Sequence, residues 1–153
     1  MYVGKIDYRN LEIYEMAHQL VLHIYNICKL LPEIEEDNLR DQLCRATTGL
    51  PLNIAEGSGT ASPRAFLTYC TYCYRSCMEC EAALRLCKDL GYLNLDQYKD
   101  TNAKFEKFIC KLYRFMQYLE QQVGGKKDRG FYGRRYMHYV DQDMTERSNS
   151  DGN

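Results

Sequence analysis

The chain reads as all-α, an up-down antiparallel four-helix bundle followed by a C-terminal tail. Three observations predict this. Apolar residues recur at three- and four-residue steps in four separate segments. No stretch alternates apolar and polar residues as a half-buried strand would. The three prolines, at positions 32, 51 and 63, leave everything after residue 63 free to be helical. The expected bundle occupies residues 1–123, with helices at about 10–31, 36–57, 63–90 and 95–122, and residues 124–153 form a basic aromatic and then polar extension.

In the first helix Leu11, Tyr14, His18, Val21, Tyr25, Cys28 and Leu31 form the expected buried stripe, with Asn10 as N-cap and Pro32 ending the run. The acidic connector "PEIEEDN" suits the positive end of a following helix. The second stripe is Leu39, Leu43, Ala46, Leu50 and Ile54; Pro51 predicts a kink, and Gly57 and Gly59 a helix end. Ser62 followed by Pro63 is a strong start for the third helix, which stops at Gly91. Its stripe is Phe66, Cys70, Cys73, Cys77, Cys80, Leu84 and Cys87. Asn94 caps the fourth, whose stripe is Phe105, Ile109, Leu112, Met116 and Leu119, widened by Phe108 and Phe115.

Of eight cysteines, four fall in "CTYCYRSCMEC", residues 70–80, a spacing that invites a metal or redox assignment. Helix geometry argues otherwise. At ~100° and ~1.5 Å per residue these positions share an arc of about 80° but span roughly 15 Å along the axis. A tetrahedral zinc site needs its sulfurs within about 4 Å of one another. The thiols therefore read as small hydrophobic packing residues, with no metal and no cofactor. His18 and His23 diverge by about 140° around a helix and form no i,i+4 metal pair. His18, on the apolar stripe, reads as a hydrogen-bonded core residue. No Ser-His-Asp set, HExxH motif or phosphate-cradling glycine loop is present, so a non-enzymatic role is expected.

The net charge is −1, which excludes a global basic field. Residues 126–135, "KKDRGFYGRR", nonetheless concentrate five cations against one Asp. There Lys126, Lys127, Arg129, Arg134 and Arg135 interleave with Phe131, Tyr132, Tyr136 and Tyr139. Cations bind phosphates and aromatic faces stack on exposed bases, so this run is the candidate contact for RNA or single-stranded DNA. The alternative is a solvated or oligomer-docked extension. With no signal-like or membrane-spanning apolar run, a cytoplasmic protein with reduced thiols and no membrane partner is expected.

The stretch "LRDQLCRATTGLPLNIAEGSGTASPRAFLTYC" resembles the four-helix bundle family encoded in intervening sequences of bacterial 23S rRNA genes. Arg45, Asn53, Glu56 and Gly57 carry the resemblance with Leu39, Gln42, Pro51, Ser62 and Phe66; Ser76 and Glu79 in "RSCMECE" and "LGYL" at 90–93 extend it to roughly residues 6–120. Gly49 stands where the family usually has Ser, and Thr60 where it often has Arg. The family is similar in fold to the accessory variability determinants of diversity-generating retroelements, which form five-membered barrels and work with a reverse transcriptase. The resemblance therefore implies a homopentamer, a non-catalytic role and a reverse transcriptase as a partner; a protein–protein scaffold without nucleic acid is the other reading. Residue by residue, Asn53, Glu56 and Ser76 are candidates to satisfy backbone groups freed by Pro51, and Glu79 is the candidate ion-pair partner of Arg45.

Overall fold

Local signals set most helix ends in the computed structural model, which describes residues 6–123. The helices are α1, Glu12–Cys28; α2, Asp41–Ser58; α3, Pro63–Asp89; and α4, Leu95–Val123. The Ser62 side chain accepts a hydrogen bond from the Ala65 amide (3.2 Å), with Pro63 in the first turn where a missing donor costs nothing. Asn94 and Gln97 form a reciprocal capping box: the Gln97 amide donates to Asn94 Oδ1 (2.8 Å), and the Asn94 amide to Gln97 Oε1 (2.9 Å). At the end of α3, Gly91 adopts φ +78°, the Tyr92 amide reaches the Cys87 carbonyl and the Gly91 amide the Lys88 carbonyl. That is a Schellman stop, in which glycine takes the left-handed backbone without a Cβ penalty.

Two expected boundaries differ. Asn10 does not cap α1; it ends a short 3₁₀ turn, Tyr8–Asn10, whose cap is the Asp7 carboxylate, and Leu11 stands at the α1 N-cap without a side-chain bond. The second helix does not run from residue 36 as α-helix. A 3₁₀ turn (Glu33–Glu35) and a wide π-type turn (Glu36–Arg40) precede α2, and the helical backbone breaks at Asn38 (φ −127°, ψ −107°). Pro51 rides inside α2, whose helical span continues through it. Glu35 holds the turn together: its carboxylate accepts from the Leu39 amide (3.3 Å), Asn38 Nδ2 (3.1 Å) and the Tyr92 hydroxyl (3.0 Å), which ties the connector to the α3–α4 turn.

Neighbours in sequence pack as neighbours in space. The α2–α3 interface is the most extensive, α3–α4 and α1–α2 follow, and α1 meets α4 sparsely. The core residues expected on α2, α3 and α4 are buried, among them Leu43, Leu50, Ile54, Phe66, Phe105 and Leu112 at 0% exposure, except Phe115, which is half-buried against the core. The expected α1 stripe meets the core at Cys28 and Leu31 but diverges from it over residues 14–25. Ile13, Ala17, Leu20, Ile24 and Ile27 face the core with Cys28, while His18 and Tyr25 are exposed and Tyr14 and Val21 half-buried. His18 is thus a surface residue, not a core histidine.

Gly57 does not end α2 but lets α3 approach it. A Cβ there would lie 2.3 Å from Phe66 Cδ2, inside any tolerable contact, whereas one on Gly49 would meet Ser76 Oγ at 3.6 Å, ordinary packing. Opposite outcomes are expected on urea unfolding. Gly57→Ala should destabilise by about 3 kcal/mol, the upper end for overpacking a rigid core. Gly49→Ala should be neutral or stabilising by up to ~1 kcal/mol, the helix-propensity gain.

Candidate functional site

The cysteines that suggest a metal site line the inner face of α3. Cys70, Cys73, Cys77, Cys80 and Cys87 are all at 0% exposure, and all are free thiols. Two of them meet polar groups of α2. Cys73 Sγ donates to the Leu50 carbonyl (3.7 Å), and Cys80 Sγ lies 3.3 Å from Thr47 Oγ1, which donates to the Leu43 carbonyl (2.7 Å). Burial disfavours the thiolate, so the Cys70 and Cys77 thiols are raised well above the ordinary value and Cys80 is pushed up to about 12. Thiols held protonated in this way are poor nucleophiles and poor ligands. Among the described residues no group of three or more His, Cys, Asp or Glu is placed to hold a metal ion.

The residues that carry the family resemblance spread over the outer side of the α2–α3 seam. Ser76 faces Gly49, and Ser76 and Glu79 line a recess of about 320 Å³ with Tyr72 and Arg75. Asn53 Nδ2 donates to the Gly49 carbonyl (2.7 Å). That is not the bond Pro51 removes, because a proline at 51 leaves the Thr47 carbonyl without its donor. Arg45 is paired with Asp41 (2.6 Å), one turn back on its own helix, rather than with Glu79. Glu56 is exposed, and Gly57 is buried against Phe66. The structure therefore brings Asn53, Ser76 and Gly49 together and leaves Arg45 and Glu56 on the surface. Both are exposed in a solvated setting that adds little stability.

Two further recesses flank α1. The first, about 340 Å³, lies against α2 and is lined by Tyr8, Tyr14, His18, Val21, Pro51 and Leu52 among others. Tyr8 and Tyr14 pack edge to face at 4.6 Å, and Leu52 is 61% exposed. Together with Tyr25 this is an apolar, aromatic strip outside the core. The second, about 480 Å³, opens where α1 and α4 pack sparsely and is lined by Met16, Leu20, Leu22, His23, Lys104 and Lys107 among others. Here His23 Nε2 lies 2.9 Å from the hydroxyl of fully buried Thr101. The spacing of α1 carries the aromatic strip beside the aliphatic set Ile13, Ala17, Leu20 and Ile24 that faces the core, and spacing alone does not rank the two. The basic aromatic residues Lys126, Lys127, Arg129, Tyr132, Arg134, Arg135 and Tyr136 lie outside the described residues.

These helices define an antiparallel four-helix bundle with a cysteine-lined core. The chain belongs to the 23S rRNA-intervening sequence protein family, whose model matches residues 9–114. It is similar to a crystal structure from Bacteroides thetaiotaomicron VPI-5482, described as a protein of unknown function from the S23 ribosomal protein family, at 22% identity and a TM-score of 0.64. That likeness covers 69% of this chain and 98% of the other and concerns the fold. No curated protein matches the chain. Among the described residues no helix is long and apolar enough to cross a membrane.

His23 supplies a pH dependence with a definite sign. Desolvation, then the Lys104 charge, lower its pKa, and Asp100 opposes them. The unfolded chain then binds the proton more readily, so stability is full above the ordinary imidazole pKa of about 6.5 and falls as pH drops through the lower folded value. The melting temperature should decline over that window in the native sequence and decline less in His23→Gln. An identical decline in the two proteins would remove His23 as its source.

Proposed function

We propose that the chain is a non-enzymatic, cytoplasmic, self-assembling four-helix bundle adaptor that associates with RNA or single-stranded DNA through residues 126–136. The observation that carries this reading is the separation of roles along the chain. Residues 6–123 bury most of their thiols in the core, while five cations fall in the ten residues 126–135 and four aromatics interleave with or follow them up to Tyr139. Cations would neutralise phosphates and Tyr132 and Tyr136 would stack on unpaired bases. A homopentamer, the state suggested by the family resemblance, would present five such runs and raise a weak contact through avidity. On the same resemblance, the protein partner we propose is a retroelement reverse transcriptase.

A second reading, a protein–protein scaffold without nucleic acid, is favoured by the apolar strip of Tyr14, Val21, Tyr25 and Leu52, since exposed aromatic patches suit protein contacts. One comparison separates the two. Binding of a single-stranded RNA oligonucleotide is measured across a salt series for the full chain and for a chain ending at Gly125. Five phosphate contacts on a single strand give a log–log salt slope of about −3.5, or roughly a hundredfold loss of affinity between 50 and 200 mM salt. The shortened chain should lose that slope, and each chain should sediment at five times its own mass, 18.0 kDa for the full chain. Unchanged affinity on shortening would clear the basic run of the role, and no binding by either chain would favour the scaffold.

A further inference from the structure

We propose that Cys28 and Cys44 form a peroxide-responsive dithiol that closes to a disulfide and straps α1 to α2. The two sit on either side of the connector, Cys28 as the last residue of α1 and Cys44 in the first turn of α2, with their sulfurs 3.6 Å apart. A disulfide bond of about 2.05 Å asks those sulfurs to close by roughly 1.5 Å. The connector between them is irregular, broken at Asn38 in a wide turn, so the closure does not have to bend a regular helix. Arg40 anchors that turn beside the pair: its Nη2 donates to the Leu31 carbonyl (2.6 Å), and its own carbonyl lies 3.9 Å from Cys28 Sγ.

The two thiols differ in access, which sets the order of events. Cys44 is half-buried and reachable by a small oxidant, whereas Cys28 is 4% exposed. Burial, then Cys44, pushes the Cys28 thiol up to about 12, with Arg40 opposing. Oxidation therefore begins at Cys44. Its sulfur attacks a peroxide, forming an S–O bond and breaking the O–O bond, with one water released. Cys28 then attacks the Cys44 sulfenic sulfur, forming S–S and breaking S–O, and a second water leaves. Two thiols lose two hydrogens, hydrogen peroxide becomes two waters, and a dithiol reductant reverses the change. The cysteines at 70, 73, 77 and 80 are at 0% exposure and lack this access.

The test uses the full chain treated with hydrogen peroxide, blocked by alkylation and cleaved after Lys and Arg. Cys28 lies in the peptide 10–29 and Cys44 in 41–45, so the bond joins two otherwise separate peptides. We expect that linked pair, its disappearance with dithiothreitol and in Cys44→Ser, and a rise in melting temperature of roughly 5–10 °C for the closed loop. Phenylarsine oxide, which bridges two neighbouring sulfurs, gives an arm without substitution: native chain should take up one arsenical and then lose the peroxide-formed link. Cys44 carried to sulfinic acid while Cys28 remains alkylable, a link between chains, or a bond elsewhere would each overturn the proposal. So would the absence of arsenical uptake.

Discussion

The close approach of α2 and α3 is the constraint on which the remaining packing depends. Phe66 lies where a side chain at 57 would have to be, so only glycine at that position permits the contact. Two turns and more along the same seam, the neighbours of α2 are cysteines, small enough to keep the helices near one another and still apolar. Cys73 and Cys80 meet the backbone carbonyl of Leu50 and the hydroxyl of Thr47, so the polar atoms at this seam are bonded rather than stranded. Large residues of α4, Phe105, Phe108 and Leu112, are fully buried in the same core. α3 thus packs between α2 and α4, and α1 closes the bundle against the other side of those two helices.

This division explains which parts of the fold could be read from the residues. On α3 and α4 only one face is apolar, so the periodicity names the core directly: Cys70, Cys73, Cys77 and Cys80, and Phe105, Ile109, Leu112 and Met116. On α1 two faces qualify. Ile13, Ala17, Leu20 and Ile24 compete with Tyr14, His18, Val21 and Tyr25, and spacing cannot rank them, because the choice is made by packing on α2 and α4. The aliphatic set wins and the aromatic set is left outside. The backbone break at Asn38, which the residues do not signal, sits in a wide turn held by Glu35, a residue 57 positions from its partner Tyr92. Contacts of that range leave no local signature.

The same limit applies to chemistry. Cys28 and Cys44 lie sixteen residues apart across a connector, and only the path of that connector brings their sulfurs together. Conversely, the dense run at 70–80 has the appearance of a site and the geometry of padding. Asn53 and Ser76, which share the family pattern, do gather at one place, around Gly49, while Arg45 turns back to Asp41. Outside the core, α1 and α2 carry an apolar strip in which Tyr25 and Leu52 are exposed and Tyr14 and Val21 half-buried.

The account rests on thiols sealed inside α3, and their reaction with a maleimide, followed cysteine by cysteine in the native chain, tests it most directly. Cys70, Cys73, Cys77 and Cys80 should all label at one common slow rate, that of global unfolding, and that rate should climb together with added urea. Fast native labelling at any of the four, or four unrelated rates, would contradict a closed core built on this seam.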